Sequence, residues 1–394
     1  MNNKPAVAGL IVIIFSALVA ILGYLIMPDS TPNANDGAIQ IQKQGPGFKT
    51  TILKLKKNRP VAPVNFVEKA IWGEESHYTI VPITAFEIND YTISVKQFGG
   101  GDAVKEYALV NTVKPLYIGT TDKLGENGET VRIDGEKVVY VDSNEEIQET
   151  TREALIEEFL QNNIEERTYW LGTDRSGRDM LSRLIFGARI SLSIGFVSVL
   201  ISMFLGVSLG ALSGFFGGRI DKIIMWLMSV TWSIPGIMLV IAISLVLQSR
   251  GVWVAFLAVG LTMWVDVARV VRGQILSIRQ KLYIEAARAF GIGNLRTIGR
   301  HIMPNIMGPL IVIATANFAA AIILEAGLSF FGMSVQPPTP SWGIMIYEGY
   351  NSIGTVGSWH LILFPGLSIS LLVLAFNLLG NGLRDAFDPQ TLVE

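Results

Sequence analysis

Residues Glu285–Asn294 read "EAARAFGIGN", a polar, alanine-rich stretch set between two apolar runs that are each long enough to cross a bilayer. Helix propensity and a single glycine predict a short helix over Tyr283–Phe290 that stops at Gly291. Asn294 suits the N-cap of a second helix beginning at Leu295. Ala286 and Ala287 are small enough to let such a helix lie close against another surface. Gly291 supplies an unrestricted backbone at the corner, and Pro304 disfavours helical geometry in Met303. A compact helical knob outside the bilayer results, and the flanking runs make the chain a membrane protein.

Composition agrees. Half of the 394 residues are hydrophobic and only 16% are charged, too apolar a balance for an ordinary soluble domain. A formal net charge of −2 gives no electrostatic support for binding nucleic acid. Cysteine is absent, which removes disulfides, thiolate metal sites and cysteine nucleophiles together. His77, His301 and His360 stand far apart with no HExxH spacing, so neither a metalloprotease site nor another metal centre is expected. No GxxxxGK[ST] run occurs, so the chain is expected to bind no ATP of its own. No catalytic residues emerge.

Working outward, Pro5–Met27 is one apolar run. It exceeds a signal peptide's apolar region and is followed by "PDSTPNAN" without a small-residue cleavage site, so it is expected to remain as an anchor. Five further runs, Ile190–Phe215, Ile223–Leu247, Val252–Val271, Ile306–Phe330 and His360–Leu379, bring the expected total to six transmembrane helices in an all-α polytopic protein. Between the first and second runs the pattern changes. "YTISVKQF" (Tyr91–Phe98) alternates as a strand with Tyr91, Ile93 and Val95 on one face. "VRIDGEKVVYV" (Val131–Val141) reads as a hairpin with Asp134-Gly135 in a type I′ turn. Ser143 with Glu146 resembles a capping box, opening a helix that pairs Leu155 with Phe159 and Ile156 with Leu160. A small α+β insert over residues 28–168 follows.

Orientation comes from basic residues near the span ends. The loop carrying Arg269, Arg272, Arg279, Lys281, Arg288, Arg296 and Arg300 belongs in the cytoplasm. Counting spans then puts Lys4, Arg219, Lys222 and Arg384 inside as well, so both termini are cytoplasmic and the insert is extracytoplasmic. Arg175, Arg178, Arg183 and Arg189 fall on the outer side, against the rule.

Glu285-Ala286-Ala287, three residues, Gly291, and after a longer gap Pro304 resemble the cytoplasmic loop signature of ATP-binding-cassette (ABC) importer permeases. His301 and Met303 stand where that signature has Ile and Leu, and "RHIMPN" is similar to the "RHILPN" of the dipeptide and oligopeptide branch. "LGTDRSGRDMLSRLIFGARISL" (Leu171–Leu192), "VARVVRGQILSIR" (Val267–Arg279), "EAGLSFFGMSVQPPTPSWG" (Glu325–Gly343) and "FPGLSISLLVLAFNLLGNGLRDAFDP" (Phe364–Pro389) resemble the second permease of that branch, in the family's order. The resemblance implies a type I ABC importer permease fold, with an anchor at 1–27, the insert at 28–168 and a permease domain at 169–394. It implies half of a translocation pathway, no covalent catalysis, and coupling to ATPases through Glu285, Ala286, Ala287, Gly291 and Pro304. The implied partners are a homologous second permease, two ATP-binding subunits that hold ATP and Mg, an extracytoplasmic solute-binding protein, the lipid bilayer of the cytoplasmic membrane and a peptide-like substrate. Nickel or another small solute is the alternative cargo. The insert is longer than the family's usual region there.

Other candidates are local. Asp266 lies near the inner end of a span, three residues before Arg269, where it serves either a pathway or an i,i+3 pair. Asn377 in the last span touches substrate or bonds across helices. A membrane-anchored sensor would need a cytoplasmic output domain, and only about fifteen residues follow the last span. An ion-driven carrier would show internal repeats and midplane charges, which are scarce here.

Overall fold

The computed structural model describes residues 3–124, 128–354 and 357–387. The last residues of the Phe364–Pro389 block, Asp388 and Pro389, lie outside them. Two compact units form: Gly23–Arg183 with Ser352–Leu361, and the remainder, residues 1–22, 184–351 and 362–394.

In the first unit, the chain leaves helix α1 (Lys4–Ile26) and builds strand β1 (Phe48–Lys56), helix α2 (Phe66–Trp72) and strands β2 (Tyr78–Asn89), β3 (Thr92–Gln97) and β4 (Val104–Ala108). Helix α3 (Leu109–Val113), strands β5 (Val131–Asp134), β6 (Lys137–Val141) and β7 (Ile147–Thr151), helix α4 (Arg152–Glu158) and strand β8 (Ile164–Tyr169) complete it. One antiparallel sheet runs β4-β3-β2-β1-β8 and a second runs β5-β6-β7. Alternation works as expected in β3, where Ile93 and Val95 are buried beside Leu53, Ile83, Leu109, Leu155 and Phe159.

Two local expectations are corrected. Asp134 pairs directly with Lys137, so the hairpin turn is Gly135-Glu136, one residue later than expected. Only Gly135 takes a positive φ, +64°, which is the pattern of a type II′ turn. Ser143 and Glu146 cap no helix. They sit in the β6–β7 turn, where the Asp142 carboxylate accepts the amides of Asn144 and Glu146 at 2.9 Å each. The residues that follow extend as β7 against β6, and Thr151 caps α4 instead, accepting from Ala154 N–H. The long-range strand pairing outweighs the local capping signal.

Two of the four arginines expected on the outer side against the rule, Arg178 and Arg183, are neutralised within the fold. Arg178 and Arg183 are buried, and both guanidinium Nε atoms lie on the Asp174 carboxylate, at 2.6 and 3.1 Å. Charges neutralised inside the fold do not sort topology as free loop charges do. His360 reaches the same loop, its Nε2 3.1 Å from Thr173 O.

Close by, Asp29 accepts the Asp36 N–H at 3.0 Å, and Asp36 lies 3.7 Å from Arg167. Burial, reinforced by the Asp29 charge, pushes the Asp36 carboxyl up to about 6 from its ordinary 3.8, against the pull of Arg167. A carboxyl raised in the fold binds its proton more tightly there than in the unfolded chain. Its stabilisation is therefore complete below about pH 4 and lost as pH rises through about 6. The expected result is a melting temperature for this unit that falls between pH 4.5 and 6.5. Asp36→Asn should remove up to about 3 kcal/mol of that pH-dependent change, leaving the contribution of Asp29, which shifts in the same direction. A pH series of thermal melts on both proteins checks it.

The second unit holds the helices α5 (Met180–Phe216), α6 (Gly218–Trp232), α7 (Gly236–Val246), α8 (Val252–Ile278), α9 (Leu282–Ala289), α10 (Asn294–Thr297), α11 (Met307–Phe330), α12 (Trp342–Tyr350) and α13 (His360–Phe387), with the first residues of α5 and α13 belonging to the other unit. Among the described residues five helical runs are long and apolar enough to cross a membrane, and α6 with α7 makes a sixth if their 96° bend counts as one broken span. The break falls at Ser233-Ile234-Pro235, inside the run Ile223–Leu247 expected to form one transmembrane helix. Proline lacks the amide that a helix interior needs and biases Ile234 away from helical angles. α12 was not anticipated; Ser341 caps it by accepting from Ile344 N–H.

Helices α5 and α8 touch backbone to backbone along Gly206, Gly210 and Gly214. A Cβ at these positions would meet Val267 Cβ at 2.4 Å, Ala268 O at 2.6 Å and Arg272 O at 3.0 Å. Small residues every fourth position let membrane helices pack this closely, where no hydrophobic effect drives association. At the ends of these helices Arg272 grips Asp221 of α6 with two parallel bonds of 2.7 and 2.8 Å.

Candidate coupling site

Helices α9 and α10 form the knob. Phe290 N–H bonds Ala286 O at 2.9 Å and Ile292 N–H bonds Ala287 O at 3.0 Å, which closes α9. Gly291 turns the chain with φ +73°, and a Cβ there would meet no atom within 4 Å, so backbone angle alone selects glycine. Gly293 occupies the N-cap position of α10. Asn294 is therefore the first helical residue and makes no side-chain cap, contrary to expectation.

The two faces of α9 differ. Ile284 is fully buried in one cluster with Phe215, Val271, Ile275, Ile302 and Ile306, which ties the knob to α5, α8 and the start of α11. Ala287 is buried too, at 6% exposure, so it faces its own chain rather than outward as its small size suggested. Glu285 and Ala286 are exposed. Around them stand Leu282, Phe290 and Leu295, at 82, 85 and 79% exposure, with Arg296 and Arg300 alongside. An apolar and cationic face carried on a buried anchor is fit for docking a protein. Among the described residues no group of His, Asp or Glu side chains that could hold a metal ion occurs.

Pro304 behaves differently from expectation. Met303 keeps helical angles, φ −54° and ψ −44°, and Pro304 sits in a 3-10 turn over Met303–Ile306 that leads from α10 into α11. Proline at the first positions of a helical turn removes no needed amide bond, which explains the tolerance. Asn305 bonds back to His301 O at 2.6 Å across it.

Asp266 and Asn377 lie outside the knob. Asp266 accepts the Trp232 indole N–H at 3.2 Å, and the Arg269 guanidinium stacks 3.4 Å above the same ring. The pair thus clamps the end of α6 just before the α6–α7 bend. Asn377 is exposed on α13, on the face that also exposes Leu363, Leu367, Leu371 and Leu374.

A polar centre lies within the apolar part of α11. Glu325 of α11 is fully buried, and hydroxyls surround it: Ser329 donates to Oε1 at 2.7 Å and Ser191 of α5 to Oε2 at 3.4 Å. Ser191 Oγ in turn accepts the Trp342 N–H of α12 at 3.3 Å, and Ser341 Oγ lies 3.4 Å from Ser329 Oγ. Three helices meet on this carboxyl. The signal was present as one acidic residue within the apolar "IILEAGLSF". Glu325→Ala should orphan several buried hydroxyls and cost about 1–3 kcal/mol, whereas Glu325→Gln keeps their partner and should cost less. Thermal melting of the two variants in detergent checks the order.

Several helices long and apolar enough to cross a bilayer, joined by a knob with an exposed apolar and cationic face, define an integral membrane protein. Residues 206–393 match the family described as the binding-protein-dependent transport system inner membrane component. The dipeptide transport system permease protein DppC of Bacillus subtilis (strain 168) is 42% identical over 222 residues, 56% of this chain and 69% of that protein. The glutathione transport system permease protein GsiD of Pectobacterium atrosepticum is 43% identical over 56% of this chain and 73% of its own length. The oligopeptide permease OppC of B. subtilis is 38% identical over 57 and 72%. Among solved structures, an inward-facing form of the MetNI methionine ABC transporter aligns at 20% identity and a TM-score of 0.45, over 52% of this chain and 97% of that one. The chain belongs to the binding-protein-dependent transport system inner membrane component family, as a permease subunit of an ABC importer and not an enzyme. The matched family segment begins beyond the insert.

Proposed function

We propose that this permease forms half of a pathway for di- and oligopeptides in the cytoplasmic membrane, with a homologous second permease as the other half. Two ATP-binding subunits, which hold ATP and Mg, grip the knob from the cytoplasm, and a solute-binding protein delivers cargo from outside. The observation that carries this is the construction of α9: Ile284 buried among α5, α8 and α11, with Phe290 and Leu282 exposed. Force applied to the exposed face passes through the buried one into pathway helices. Dipeptide, oligopeptide and glutathione are the cargoes that the relatives' names give, and all are short peptides, which supports the substrate class. In this reading α6 and α7 make one broken span, the sixth, both termini are cytoplasmic, residues 28–168 lie outside and the permease domain covers 169–394.

Uptake of a labelled dipeptide by cells carrying or lacking this subunit is the direct test. Loss of uptake on deletion, restored by the gene, is expected. Intact uptake without it, or competition by a nickel chelate alone, overturns the peptide assignment. Sidedness has its own measurement, made clean by the absence of cysteine. An impermeant maleimide should label Asn144→Cys in the β6–β7 turn and spare Ser277→Cys near the end of α8; both positions are exposed.

A further inference from the structure

None of the seven residues of α2 is buried, although the helix carries Phe66, Val67 and Trp72 at 71, 63 and 72% exposure. An isolated helix this short is unstable in water. It is nevertheless fully built. Asn65 and Glu68 cap its start reciprocally, and Gly73 ends it with φ +79°. Its position is fixed as well. Glu74 N–H bonds Ser30 O at 2.9 Å, and the Tyr24 ring lies so close under Gly73 that a Cβ there would come within 2.7 Å of it. Tyr24 also accepts the Asn33 N–H at 3.1 Å.

Tyr24 stands two residues from the end of α1, a 23-residue apolar helix. At 1.5 Å per residue α1 is about 35 Å long, against a hydrocarbon core of about 30 Å. Its last turn therefore lies at the boundary between lipid and water. Ile26, the final residue of α1, is half exposed there. The C-cap of α2 is stapled to that turn, so α2 lies at the same depth, where Trp and Phe are favoured because their rings suit the headgroup layer.

We propose that α2 is an interfacial helix that seats Phe66, Val67 and Trp72 in the headgroup and upper acyl region of the bilayer, at the level of Tyr24 in the last turn of α1. It gives the inserted unit a second membrane contact besides the spans that bracket it. Lipid fits better than a protein partner for a positional reason: the staple to α1 holds the exposed apolar residues at the height of the membrane surface. The inference is independent of which face of the membrane the insert occupies and of the cargo.

The test uses nitroxide labels on the assembled transporter in phosphatidylethanolamine–phosphatidylglycerol vesicles. Val67→Cys and Trp72→Cys are compared with Phe15→Cys, exposed on α1, and Asn144→Cys, exposed in the β6–β7 turn. Collision with oxygen should dominate collision with a water-soluble nickel chelate at residues 67 and 72, as at 15, and the ratio should reverse at 144. Chelate-dominated collision at both 67 and 72 overturns the proposal by putting α2 in water. Protection from both reagents overturns it in favour of a protein partner. Val67 makes no cap and no staple, so its variant keeps the test decisive if Trp72→Cys fails to assemble.

Discussion

Phe290→Asp is expected to leave the permease inserted and paired but stripped of its ATPase subunits, with uptake lost. Phe290 is the most exposed large apolar residue of the knob and makes no contribution to the Ile284 cluster beneath it. Removing an aromatic anchor at a docking centre costs about 2 kcal/mol or more, about a 30-fold loss of affinity at tenfold per 1.4 kcal/mol. The added charge makes the loss greater, because it would be desolvated without a partner. Ala287→Trp should fail differently. Its side chain points into its own chain, so overpacking of about 1–3 kcal/mol should lower the melting temperature of the permease itself. Co-purification of the ATPases and thermal melting, measured on both variants, separate the two effects. Normal ATPase recovery with Phe290→Asp would remove the knob's exposed face from the mechanism.

The second large effect belongs to Gly177. It has φ +74°, and a Cβ would sit 1.8 Å from Ala38 O, while the backbones of Gly37 and Arg178 bridge beside it. Gly177→Ala must therefore push the two segments apart as well as strain the backbone. Left-handed geometry alone costs a non-glycine residue about 1–2 kcal/mol, and separating the segments adds an overpacking cost of about 1–3 kcal/mol. A fall of roughly 10 °C in the melting of this unit follows, along with exposure of the Asp174–Arg178–Arg183 cluster to protease. Gly101→Ala is the control. It has φ +63° with nothing within 4 Å of a Cβ, so only the backbone strain should register. Equal effects at the two glycines would show that the contact with Ala38 contributes nothing.

What the sequence determined by itself was local or periodic. The lengths of the apolar runs set the candidate spans, because the bilayer core has one thickness and a helix one rise per residue. Strict alternation placed Ile93 and Val95 in a core, and a glycine after an alanine-rich stretch ended α9 close to the expected residue. Pro235 was visible within the third run, and its consequence, the bend between α6 and α7, could have been drawn from proline's missing amide.

The rest depended on partners that sequence distance conceals. Strand pairing with β6 turned the Ser143–Glu146 segment from a helix cap into a hairpin turn. Asp174 gathered Arg178 and Arg183 and took their charge out of the topology rule. Trp232, 34 residues away, gave Asp266 its hydrogen bond. Ser191, 134 residues from Glu325, joined α5 to that buried carboxyl. Only packing decided that Ala287 faces inward while Ala286 faces out, since two adjacent alanines have the same propensity and differ by a rotation of about 100° on the helix. Propensity and period act within a few residues, whereas burial, pairing and charge neutralisation are settled by whichever distant groups the fold brings within a few ångströms.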